Sequence, residues 1–354
     1  MDAAEVRRLR DDLARRAPRS VLARRRRRAG PRPPEAPRAR GEGAPCAAAK
    51  PAARGDDDDD GAAMTGLLPW WTLPPVFVAL TLVIGFGVVV GFHRMLTHRA
   101  VRFVRPLEVF LVVTGLPAGT PVGWVGHHRH HHAHADDEDD LHSPRRRGFW
   151  VAHTGWYLGT TSVTLSILYA LAGPLRTAFD AFWRPRTNQQ YAHLAKDVDD
   201  DPVFRALSRP VVYAAALLGW VLVLWVVVVT LWGGLGVVCL WGFHVLAYNF
   251  GDLVNSWGHV WGEQPWDSND DARDHWLLAL LAVGDGWHAG HHAFPGSARC
   301  AFGPGQVDVA YLFCRACERL GLASALRVPA DADLARRRCR AAPSSPLPPS
   351  EHPA

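Results

Sequence analysis

Apolar residues fall in blocks. Residues 67–92, LLPWWTLPPVFVALTLVIGFGVVVGF, are almost wholly apolar. A membrane-crossing helix needs about 20 such residues, so this block predicts one span. Pro74 and Pro75 mark its entry, and Trp70 and Trp71 lie at the interface. Residues 107–123 are apolar but short and broken by Pro117 and Pro121. They predict a re-entrant or surface-lying helix, with the surface-lying form the better match to their length. Residues 211–231 and 235–254 are long and apolar and meet at Gly233-Gly234, which predicts a transmembrane hairpin. An amphipathic helix follows residue 305, then a Pro/Ser tail. The pattern is that of an all-α, multi-span integral membrane protein.

Composition separates this body from its ends. The first 63 residues carry the basic run Arg24–Arg28, the proline-rich stretch Pro31–Pro37 and the acidic block Asp56–Asp60. Such a segment cannot bury a core. Scarce Ser and abundant acidic residues argue against a transit peptide, so 1–63 reads as a disordered, non-structural leader, with Met64 as a candidate functional start. The expected organisation is 1–63 leader, 64–330 membrane domain and 331–354 disordered tail. The mean hydropathy of −0.05 averages these unlike parts. The net charge of +5 comes largely from the leader, and no basic stripe suited to nucleic acid runs through the body. The six cysteines form no disulfide framework; Cys314-x-x-Cys317 reads as two small residues packed on a terminal helix.

The 18 histidines change the picture. Most lie in three clusters: His93–His98 as HxxxxH, His128–His132 as HxxHH, and His288–His292 as HxxHH. His259 follows the last span, four residues after Asn255. On a helix, i, i+3 and i+4 share a face, so each HxxHH points three imidazoles one way. His93 and His98, at i and i+5, fall about 140° apart on a regular helix, so they are expected where the helix ends or on different metals. Histidines at membrane spans are costly and usually functional. Three clusters at span ends predict a shared metal site.

The stretches GFHRMLTHR, WVGHHRHHHAHAD, SPRRRGFWVAHTGW, LVNSWGHVWGEQPWDSNDDAR and DHWLLALLAVGDGWHAGHHAFP, in this order, resemble the membrane fatty acid desaturases of the stearoyl-CoA and acyl-lipid Δ9 type. The resemblance runs from about Gly85 to Phe302. It implies a cytosolic-facing helical cap carrying a di-iron centre. The implied ligands are His93, His98, His128, His131, His132, His259, His288, His291 and His292, with Asn255 joined through a water. It further implies O2 as co-substrate, a fatty acyl substrate on CoA or lipid, a bilayer, and a separate electron donor, cytochrome b5 or ferredoxin. No HPGG-type haem motif of a fused cytochrome b5 is present. The implied location is the endoplasmic reticulum or plastid membrane in a eukaryote, or the inner membrane in a bacterium. Asp136 to Asp140 and Asp285 are candidate carboxylates to orient the imidazoles, Asp136 and Asp285 foremost. His127 and His130 are additional histidines in the second cluster, Asp252 stands where relatives commonly carry Trp, and Ala289-Gly290 replace larger polar residues.

Two rival readings remain. A hydroxylase would use the same histidines. A metal transporter would place its ligands near the bilayer midplane on broken helices, whereas these clusters lie at span ends. All three clusters must face one side, so 107–123 must not cross. A single span before His93 would set the Arg-rich leader on the opposite side, against the positive-inside tendency. The expectation is therefore either a further upstream span or a partial hairpin within 67–92.

Overall fold

The computed structural model describes residues 66–339, without the side chains of 185–189; the leader and the end of the tail lie outside the described residues. The first apolar block forms one unbroken helix, α1 (Trp70–Thr97). It is α-helical over Leu73–Gly85 and π-helical over Phe86–Thr97. The partial-hairpin expectation fails here, because the chain does not reverse.

Helix α2 (Arg105–Gly115) runs back against α1. A Cβ on Gly87 would meet Gly115 N at 2.4 Å, and one on Gly91 would meet the Leu111 backbone at 3.1 Å. Glycine at both positions lets the two backbones approach. The chain then bends by 72° into α3 (Pro121–His134). The bend passes through Gly119, whose φ is 138°, and Thr120 caps α3 by accepting the Gly123 N–H. Of the two forms expected for 107–123, the bent pair packed on α1 matches the re-entrant one better than the surface-lying one. Glycine-mediated packing draws the segment in against the span.

An inserted pair of helices, Val163–Ala170 and α4 (Pro174–Thr187), precedes α5 (Pro210–Ser256). Gly233 in α5 has φ 57° and ψ −141°, a conformation suited to glycine. The chain reverses there. The rings of Trp225 and His244 are 6.4 Å apart, whereas a straight helix would separate them by about 28 Å. The expected hairpin forms, turning where Gly233-Gly234 placed it. Its tip meets the start of α1: Leu68 N–H donates to Leu231 O at 2.7 Å, and Trp232 Nε1 to Thr72 Oγ1 at 2.8 Å. The opposite ends of these helices carry His93, His98 and His259.

The remaining chain caps that end with α6 (His288–Ala293), α7 (Val309–Arg319) and α8 (Asp331–Arg337). A two-residue ribbon pairs β1 (Arg102–Phe103) with β2 (Ala323–Ser324), antiparallel. Cys314 and Cys317 pack into the main core with Val90, Phe92, Leu111 and Val125, as two small core residues should. The tail is not disordered from residue 331. Helix α8 docks on the cap, with Asp267 N–H donating to Arg337 O at 2.8 Å and Cys339 N–H to Pro265 O at 2.9 Å.

Candidate metal centre

The π-helical turn decides the geometry of the first cluster. In a π-helix the hydrogen bonds run from i to i+5, which stacks i over i+5. His98 N–H donates to His93 O at 3.1 Å, and the two rings lie 4.9 Å apart. His93 and His98 therefore serve one cluster. His98 caps the helix after Thr97, in line with the expectation that the pair lies where the helix ends; the alternative, that they serve different metals, assumed α-helical spacing.

The two HxxHH motifs divide their imidazoles. His128 and His132, at i and i+4, join His93, His98 and His291 in one group whose ligand atoms lie within 4.8 Å of one another. His288 and His292, also i and i+4, join His131 and His259 in a second such group. Each motif thus gives its stacked pair to one group and its i+3 member to the other. The reading that all three imidazoles of a motif serve one face needs that refinement. All nine histidines singled out from the sequence are brought together, five and four.

Carboxylates set the ring orientation. His93 Nδ1 donates to Asp285 at 2.8 Å, His259 Nδ1 to Asp136 at 2.7 Å, His131 Nδ1 to Asp140 at 3.2 Å, and His292 Nδ1 to Asp270 at 2.7 Å. Burial pushes the Asp136 carboxyl up, but its bonds from His259 and Ser143 hold it well below the usual range. His142 and His131 do the same against burial for Asp140, and His93 and Arg94 for Asp285. Asp270 is instead raised by burial. Arg146 and Arg147 steady the loop bearing two of these groups by donating to the carbonyls of Asp136, Asp140 and Glu138. Sequence reasoning named Asp136, Asp285 and the run containing Asp140, but missed Asp270. The acidic segment 267–274, close after His259, was the available signal.

The carboxylates fix the proton on Nδ1 of His93, His131, His259 and His292, which leaves a lone pair on Nε2 of each. His93 Nε2 and His291 Nε2 are 2.9 Å apart, His291 and His132 2.8 Å, and His259 and His288 3.1 Å. His98 Nε2 and His292 Nε2 are buried without a hydrogen-bond partner. The fixed lone pairs of His93 and His259 face a neighbouring Nε2 at these distances, an approach that a proton on the neighbour or a cation between the rings would satisfy. Imidazoles about 2.1 Å from a shared metal, at right angles, would sit about 3.0 Å apart. Burial, then the neighbouring imidazoles, lower His288, His291 and His292 well below their ordinary pKa. They are therefore neutral, the form that binds metal. The residues fit two transition-metal ions, for which imidazole is a suitable ligand.

The additional histidines turn away. His127 stacks on Trp156 and His130 on Tyr191, so neither belongs to either group. Asn255 lines a cavity together with His93, His128 and His288. From these residues the cavity follows α1 to Val88, Gly85 and Thr81, and α5 along Leu224, Phe243 and Ala247. An apolar channel thus opens on both histidine groups.

Residues 68–304 match the fatty acid desaturase family. The chain belongs to that family. It is 33% identical over 272 residues to a Δ9 acyl-lipid desaturase of Arabidopsis thaliana, covering 76% of this chain and 79% of the relative. To an sn-1 stearoyl-lipid 9-desaturase of Anabaena variabilis it is 32% identical over 249 residues, 69% of this chain and 79% of that one. To an acyl-CoA C20 Δ5-desaturase of Anemone leveillei it is 34% identical over 251 residues, 70% of each. This desaturase is therefore an oxidoreductase, of a family that generally uses iron, and its histidine groups provide for a metal.

Proposed function

We propose that the nine histidines hold two iron ions, five ligands on one side and four on the other. The enzyme introduces a cis double bond, at Δ9, into a saturated acyl chain linked to a lipid or to CoA. One observation carries this reading: an apolar cavity whose wall contains His93, His128 and His288. The similarity to two lipid-linked Δ9 enzymes supports the position and the lipid carrier, and the similarity to an acyl-CoA enzyme keeps CoA in play.

Bound iron would supply what no acid or base can, O2 activation and hydrogen abstraction from an unactivated methylene. The protein's own part is positional. Val88, Leu224 and Phe243 exclude water and align the acyl chain. Asp285, Asp136, Asp140 and Asp270 hold protons at Nδ1, so every Nε2 they govern stays free to ligate. Asn255, half-buried in the cavity wall, is suited to act through a water. Two electrons per turnover come from a separate carrier, cytochrome b5 or ferredoxin. The protein is multi-pass, in the endoplasmic reticulum or plastid membrane, or in a bacterial inner membrane.

Expression of the full chain in a desaturase-deficient host, with gas chromatography of fatty acid methyl esters, tests this. A Δ9 monoene is expected, and His131→Ala and His292→Ala should each abolish it and lower membrane-bound iron. Hydroxy acids in place of alkenes, or full activity in either variant, would overturn the assignment.

A further inference from the structure

Helix α4 is turned inside out. Leu175, Phe179 and Phe182 are 64%, 43% and 62% exposed, while Arg176 is 1% exposed and Asp180 fully buried. Its charged face lies inward, and Arg176 lines the same cavity as His93 and His288. The Arg176 guanidinium is fixed on several sides. Nη1 donates to Asp252 at 2.6 Å, Nε pairs with Asp180 at 3.6 Å, and the rings of Tyr248 and Tyr169 lie 4.3 and 4.5 Å from it. Nη2 is buried and has no hydrogen-bond partner among the described residues.

Such a donor inside an apolar channel is costly unless a ligand satisfies it. The charges identify the ligand's class. Arg176 and Arg184 are balanced by Asp180 and Asp252, so the site needs no anion; it needs a neutral acceptor. Asp252 lies on α5 seven residues before His259, which follows in the 3-10 turn Trp257–His259, a spacing of about 10–12 Å along the axis. A group held at Arg176 is therefore kept at a set distance from the second histidine group.

We propose that Arg176 is the positioning residue for the substrate's acyl carbonyl, whether ester or thioester, and so helps determine which carbons are oxidised. This rests on the acyl-desaturase reading above. The substrate's only strong acceptor close to its apolar tail is that carbonyl, and Arg176 Nη2 is a buried donor in the cavity wall without a hydrogen-bond partner among the described residues. Asp252, with the tyrosines, holds the guanidinium in place.

The test uses the full chain in membranes. Wild type and Arg176→Lys are assayed with stearoyl-CoA and, separately, with a stearoyl ester glycerolipid in phosphatidylcholine vesicles. Lysine keeps the charge opposite Asp252 but lacks the second planar donor. The expected result is a KM raised about tenfold, with kcat and bound iron little changed and the double-bond position spread over neighbouring carbons. The substrate that shows the effect identifies the carrier. In parallel, wild type is offered an octadecyl ether lipid, which lacks the carbonyl. It should be used about tenfold less well than the ester, and this arm does not depend on the variant folding. Equal use of ether and ester, or an unchanged KM and a single isomer from Arg176→Lys, would overturn the proposal while leaving the desaturase reading intact. No product from wild type on any substrate would overturn both.

Discussion

At the scale of the residue, the carboxylates decide which nitrogen of His93, His131, His259 and His292 is free to face a metal. Asp270 shows how. Its Oδ2 accepts from His292 Nδ1, while Oδ1 accepts from Ser268 and from Ala272 N–H. Asp270→Asn would keep the Oδ1 bonds and set an amide donor against His292 Nδ1. The imidazole proton would then move to Nε2, the nitrogen needed for ligation. Iron affinity should fall about 10- to 100-fold, read by iron retained through purification, with the fold unchanged. Asp274 governs a different property. Burial pushes its carboxyl up to about 7, although it accepts from Gly290 N–H beside the third histidine cluster. The unfolded chain ionises it near pH 3.9, so between about 4 and 7 the folded state binds more protons. Stability attributable to this group should therefore fall as pH rises through that window. Thermal melts of the detergent-solubilised protein should show a shallower decline over this range in Asp274→Asn than in wild type. The two HxxHH clusters were legible in the sequence because their spacing matches helical geometry; the full set of nine, with His93, His98 and His259, came from the family resemblance. Asp270 was not, since a carboxylate's partner depends on how the 260–275 loop folds back.

At the scale of the element, regular α-helical reasoning misplaced what the π-helix corrects. Nothing in the spacing of Phe86–Thr97 announces i to i+5 bonding, and the edge-on approach of His93 and His98, 4.9 Å apart, follows from that bonding. The close contact of α1 with α2 has a readable cause only in retrospect, in Gly87, Gly91 and Gly115. A side chain at Gly87 would place its Cβ 2.4 Å from the Gly115 nitrogen and 2.6 Å from the Thr114 carbonyl carbon. Backbone cannot yield as a flexible side chain can, so α2 must shift. Gly87→Ala should destabilise the protein by about 1–3 kcal/mol and loosen the first histidine group more than the second. Thermal unfolding in detergent gives the first effect. Iron stoichiometry gives the second, falling toward one ion per chain; two retained irons with an unchanged melting temperature would contradict it.

At the scale of the whole molecule, shared chemistry constrains topology. Between them the two histidine groups draw ligands from α1, α3, α6 and the turn after α5, so on the shared-site reading these elements meet on one side of the bilayer. The hairpin in α5 satisfies this by leaving and returning. The α2–α3 pair is bent by 72° around Gly119, and on this reading it enters and leaves on one side. Helix α1 is the odd element, for it is continuous and its first residues pack against the hairpin tip, at the end remote from the histidines. Hydrophobic blocks made the spans and the hairpin turn legible. They could not reveal that α1 is continuous, because Pro74 and Pro75 sit equally well at a helix start or in a tight turn. The geometry predicts that residues just before α1 and the loop after α3 lie on opposite sides. Leu67 and the Arg145 side chain are both well exposed, and each can be replaced singly by Cys in a background where Cys46 and Cys339 are Ser. An impermeant maleimide added to sealed, oriented vesicles should label one of the two sites, and the other only after permeabilisation. Labelling of both sites from the same face would mean that α1 does not cross, and the arrangement of spans deduced here would have to be abandoned.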